Sequence, residues 1–158
     1  MTKKRFAVLN TLLTQIEENI PFYEKTNPSV SKSSVGWQLD HSLKVIHGVC
    51  TITIKTNPDK YKKNINLWRS ILFTLCYIPR GKAKAPKVVL PPENITEEDL
   101  RKQLQASKTL IEQVKPLPKK SHFIHHVFGT LSKQQVLRFL EMHTKHHLKI
   151  VNDILNKS

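Results

Sequence analysis

The chain has 158 residues, 39% of them apolar, with 26 Lys and Arg against 12 Asp and Glu for a formal net charge of +14. That is the size of one domain, expected to span residues 1–158, and long enough to bury a continuous core without covalent staples. Only two cysteines occur, Cys50 and Cys76, both in apolar stretches and neither in a Cys-x-x-Cys or Cys/His spacing, which excludes a disulfide framework and fits a reducing, cytoplasmic setting.

From Thr2, the residues Phe6, Leu9, Leu13, Ile16 and Ile20 recur every three or four positions, which predicts a first helix that Pro21 stops. The span from Pro21 to Ser34 is rich in Pro, Ser, Thr and Asn and reads as a loop, with Ser33 or Ser34 capping a second helix. In that helix Trp37, His41, Val45, Val49 and Ile52 share a face, while the β-branched run Thr51-Ile-Thr-Ile54 weakens its end. Asn57-Pro58 breaks the chain, and Leu67, Trp68, Ile71, Leu72 and Leu75 predict a shorter helix before Pro79. Pro79 to Pro92 reads as a long irregular connection, packed over one end of the helices through Val88, Val89 and Leu90. Thr96-Glu-Glu-Asp99 opens another helix, carried by Leu100, Leu104, Ile111 and Val114 and ended by Pro116 and Pro118. Ser132 caps a last helix in which Val136, Leu140, His143, His147, Ile150 and Ile154 form the seam of a packed bundle. No strand pattern competes, so the expected class is all-α.

The N-terminal Met1-Thr-Lys-Lys-Arg-Phe6 starts like a signal peptide, but Asn10, Thr11 and Thr14 interrupt its apolar run and no small-residue cleavage site follows. The most apolar stretch, Ile65 to Ile78, is too short to span a bilayer and contains Arg69. No membrane partner is expected. The positive charge raises the question of nucleic acid, yet the basic residues scatter through Lys3 to Arg5, Lys60 to Lys63, Arg80 to Lys84 and Lys115 to Lys120, without an aromatic-studded basic face. That distribution argues for a solvated basic surface. No Gly-rich phosphate loop and no nucleophilic serine elbow occurs either.

Six of the eight histidines fall between His122 and His147. His143 and His147 are four apart on a helix, so their rings project from one face a turn apart and can grip one ion. Both sit at seam positions, where an imidazole needs partners for its nitrogens and a metal supplies one to each. His41, on the apolar face of the second helix, is the third ligand this reading selects. Three neutral nitrogens leave an open coordination position, as in catalytic sites, and suit Zn, Ni, Fe or Mn. Asp40, Asn10 and Glu141 are the candidates to hold the outer ring nitrogens. A plainer reading of His143 and His147 is a half-exposed pair interacting with the helix's negative end, a role that also fits His146. His47 lies off the His41 stripe. His122, His125 and His126 precede the last helix, where structural hydrogen bonding is the simpler role.

The stretch His125-His-Val-Phe-Gly-Thr-Leu-Ser132 followed by His143-Thr-Lys-His-His-Leu-Lys149 resembles the end of DinB/YfiT-like proteins, in an uncharacterised bacterial branch of that superfamily. There the stretch commonly reads His-Pro-x-Phe-Gly-x-Leu-Thr, then a helix bearing His-x-x-His-His-Leu-Arg. Trp37-Gln-Leu-Asp-His41 looks like that family's second-helix segment, so the likeness runs along nearly the whole chain. His126 stands where the proline is usual and Lys149 where the arginine is. The resemblance implies a DinB-like four-helix bundle with a long crossover connection and, in this chain, an extra short helix. It also implies frequent homodimers and a three-histidine site falling on His41, His143 and His147. Its members include metal-dependent thiol S-transferases.

Three functions follow as expectations. The first is a metal-dependent transferase or hydrolase acting on an anionic or thiol small molecule, in which the ion lowers the pKa of a bound thiol or water. The second is a non-enzymatic, metal-stabilised stress-related or interaction module. The third, a basic nucleic-acid-associated protein, would bind with a steep salt dependence.

Overall fold

A computed structural model describes residues 2–79 and 87–156. The molecule is mostly helical: α1 (Thr2–Asn19), α2 (Val35–Lys55), α3 (Leu67–Leu75), α4 (Glu97–Val114) and α5 (Lys133–Asn156), with strands β1 (His122–His125) and β2 (Gly129–Ser132) before the last helix. α1 packs on α4 and α5, and α2 packs on the same two helices. Their shared interior is one apolar cluster, in which Leu9, Leu13 and Ile16 of α1 meet Leu39, Leu43 and Ile46 of α2, Leu100 and Ile111 of α4, and Leu137 and Leu140 of α5.

The helix boundaries follow local chemistry. Pro21 sits in a short 3-10 turn, Ile20–Phe22, where its missing N–H costs nothing. Ser34 caps α2, its Oγ accepting from the Trp37 N–H at 3.2 Å. The β-branched end of α2 does not fray: the helix runs to Lys55, with buried Thr53 donating to the Val49 carbonyl at 2.7 Å. Ile52, however, is exposed and leaves the shared face to the others. Thr96 opens α4 by accepting from the Asp99 N–H at 3.1 Å and donating to the Asp99 carboxylate at 2.7 Å, which satisfies an orphan donor of the first turn. At the other end of α4, buried Lys133 donates to the carbonyls of Lys115 and Leu117, tying the start of α5 to the end of α4.

Two further expectations change. The span around His122, His125 and His126, where no strand pattern is expected, is an antiparallel hairpin, with His122 opposite Ser132 and His125 opposite Gly129. Its three-residue turn, His126 to Phe128, is closed by Gly129 at φ +67°, the left-handed position that lets a short turn rejoin a twisted ladder. Four-residue strands are too short for an alternation to register, and the helical periods on either side hide them. The connection after Pro79 also differs: its residues 80–86 lie outside the described part, and the following 3-10 turn, Lys87–Val89, lies along α2. Val89 packs on the core, whereas Val88 and Leu90 are exposed.

α3 forms where the spacing predicts, capped by Asn66, whose Oδ1 accepts from the Arg69 N–H at 2.8 Å. Its only buried residue is Arg69. That guanidinium donates to the carbonyls of Asn64, Phe128 and Thr130 and to the Asn64 side chain, so a charged side chain pins the helix to the hairpin turn.

Candidate metal centre

α2 and α5 cross so that His41, His143 and His147 meet, and one ring nitrogen from each lies within 4.8 Å of the other two. The ring centroids are 5.1 Å apart for His41 and His143, 4.8 Å for His41 and His147, and 4.6 Å for His143 and His147. The three histidines are therefore close enough to hold one metal ion. Aromatic rings wall the cluster: Trp37 stacks on His41 at 5.1 Å and Phe139 lies 5.6 Å from His143.

Hydrogen bonds decide which nitrogens are available. The Val89 carbonyl can only accept, so the contact of 2.8 Å with His41 Nδ1 fixes the proton there and leaves the Nε2 lone pair free. Gln38 Oε1 does the same for His147 Nδ1 at 2.7 Å, while the Gln38 amide nitrogen is turned toward Ser31 Oγ at 3.4 Å. His143 has no such partner: its Nδ1 is buried and makes no hydrogen bond. An unpaired buried nitrogen is costly, and coordination is a bond that imidazole can accept without a proton.

Electrostatics keep the rings neutral. Burial lowers the pKa of His41, opposed by the Val89 hydrogen bond and nearby Asp40. Burial holds His143 and His147 far below the ordinary histidine range, and the neighbouring imidazoles add to it because each would repel a second proton. Neutral imidazole is the form that binds metal, so the donor set fits a borderline divalent ion.

The outer partners expected from sequence are engaged elsewhere or distant. Asp40 accepts from the Gln103 amide at 2.7 Å and pairs with Lys44, Glu141 pairs with Arg5 and Lys145, and Asn10 is exposed on α1. Gln38 and the Val89 carbonyl take their place. Gln38 was readable, since it lies three residues before His41 and so on the same helical face. A backbone carbonyl from a distant turn leaves no mark in composition or spacing.

The other histidines separate from the cluster to different degrees. His47 is exposed, and His122 packs against Tyr61 and donates to the Lys120 carbonyl at 3.1 Å. His146 lies edge-on to His147 at 5.0 Å. His125 packs on Phe139, the ring that also lines His143, at 4.8 Å. Its Nδ1 accepts from the N–H groups of Val127 and Phe128 at 3.1 and 3.2 Å, which shapes the hairpin turn and puts the ring proton on Nε2. Burial, with His126 beside it, lowers the His125 pKa to about 4.

No family model, curated protein or solved structure matches the chain. The chemistry of this corner accordingly stands on its own residues.

Proposed function

We propose that the chain is a single DinB-like domain, a four-helix bundle with a long crossover, that binds a divalent metal through His41, His143 and His147 and uses it as a transferase or hydrolase. The observation that carries this reading is the convergence of three neutral imidazoles, two with their outer nitrogens already bonded and the third with a buried nitrogen that has no protein partner. Val89 and Gln38 orient two of the three rings, and Trp37 and Phe139 keep water from their flanks. A bound ion of the zinc, nickel, iron or manganese type would supply Lewis acidity, making a thiol or water nucleophilic near neutral pH. The chain's +14 charge suits an anionic or thiol-bearing small substrate.

A second reading has its own support. His41 and His147 are almost fully buried, and the two surface hollows described, one along α4 at Glu97 to Gln105 and one between α1 and α5 around Gln15 and Lys149, include none of the three histidines. In that reading the ion chiefly ties α2 to α5. Elemental analysis of wild type beside His41→Ala, His143→Ala and His147→Ala tests the site. About one metal per chain in wild type, lost in each variant, is expected; stoichiometric metal retained in His147→Ala would refute the triad. Chelation then separates the readings: loss of activity with the fold intact supports an enzyme, and unfolding supports the structural tie.

A further inference from the structure

We propose that α3 attaches the protein to an anionic membrane surface, an inference independent of the metal centre. Leu67, Trp68, Ile71 and Leu75 fall within roughly a 100° arc of the helix at its turn of about 100° per residue. All four face solvent, Leu67 at 75%, Trp68 at 67%, Ile71 at 50% and Leu75 at 65% exposure, while Arg69 on the other side is only 7% exposed. Ile65, just before the helix, is exposed too.

This orientation is fixed. Arg69 holds the helix through four hydrogen bonds, Phe73 packs edge-on against Phe128 at 5.5 Å, and the Phe73 carbonyl accepts from Arg138 at 2.7 Å. Rolling α3 to bury its apolar side would strip the guanidinium and three carbonyls of partners, which costs more than exposing a few apolar side chains. The fold therefore presents a contiguous apolar face that single exposed leucines on ordinary surfaces do not make.

Charge selects the occupant. Lys60, Lys62 and Lys63 are exposed immediately before α3, and the sequence contains no acidic residue from Lys60 to Pro92. A second copy of this +14 chain would bring the same lysines to the contact, whereas nucleic acid would answer the lysines but leave Leu67, Ile71 and Leu75 in water. A bilayer surface carrying anionic headgroups offers both an apolar layer for the side chains, with Trp68 at the boundary, and negative charge for the lysines. No described helix is long and apolar enough to cross a membrane, so α3 would lie in the plane of the interface.

The test is co-sedimentation of the full chain with vesicles of phosphatidylglycerol and phosphatidylcholine, beside vesicles of phosphatidylcholine alone. Binding to the anionic vesicles is expected to weaken with added salt and to fall at least about tenfold in Leu67→Ser/Ile71→Ser, whose circular dichroism should match wild type. Lys62→Gln/Lys63→Gln should weaken it without touching the apolar face. The proposal is overturned by absence of binding to anionic vesicles, or by equal binding of the Leu67→Ser/Ile71→Ser variant. A wild-type dimer in light scattering that Leu67→Ser/Ile71→Ser converts to monomer would overturn it as well, since a second copy would then cover the face.

Discussion

The corner between α2 and α5 and the flank formed by α3 invert the usual arrangement in opposite ways. In the first, imidazoles stand inside among Trp37 and Phe139; in the second, leucines and a tryptophan stand outside while an arginine is buried. Both inversions are stabilised by polar bonding to backbone carbonyls, Val89 for His41 and Asn64, Phe128 and Thr130 for Arg69. Apolar periodicity says which residues share a face; a polar group with several fixed acceptors decides which way that face turns.

The largest expected effect tests that idea on α3. Arg69→Ala leaves three buried or half-buried carbonyls without their donor and should cost about 2–4 kcal/mol in urea unfolding. A loss under about 0.5 kcal/mol would mean that packing of Leu72 and Phe73, not the guanidinium, sets the orientation. At the other corner, Gln38→Leu keeps the volume but removes the acceptor for His147 Nδ1, and should weaken metal binding about 10–100-fold in chelator competition. Unchanged affinity would show that His147 does not need its outer partner.

pH provides a third test. His125 titrates near 6.5 when unfolded and at about 4 when folded, so the unfolded chain binds more protons between those values. The stability this ring contributes is complete above about pH 6.5 and is lost as pH falls toward about 4, with His41, His143 and His147 acting in the same direction in metal-free protein. His125→Phe should flatten part of that slope in denaturation series, although it removes the acceptor for two turn N–H groups. The smallest effect is expected where the apolar residue faces water: Leu67→Ser should shift stability by no more than about 0.5 kcal/mol.

The histidine cluster was legible because two independent patterns met: an i, i+4 pair in an apolar seam, and His41 on the inner face of α2. Helix starts at Ser34 and Thr96 were equally legible, since capping is written in a few adjacent residues. The hairpin was not, because His126-Val127-Phe128 carries no strong turn pair and its strands are four residues each. The direction of α3 was hidden for another reason. Arg69 reads as a single charge in an apolar run, and two of its four acceptors come from a hairpin about sixty residues further on.

The two tryptophans occupy these two regions, and they divide the protein's light emission between them. Trp37 stacks on a ring of the histidine cluster, so a paramagnetic ion bound there would darken it, whereas Trp68 stands in water and emits at longer wavelength until something apolar covers it. One unlabelled sample can thus follow ion loading on the blue side of its spectrum and surface attachment on the red side.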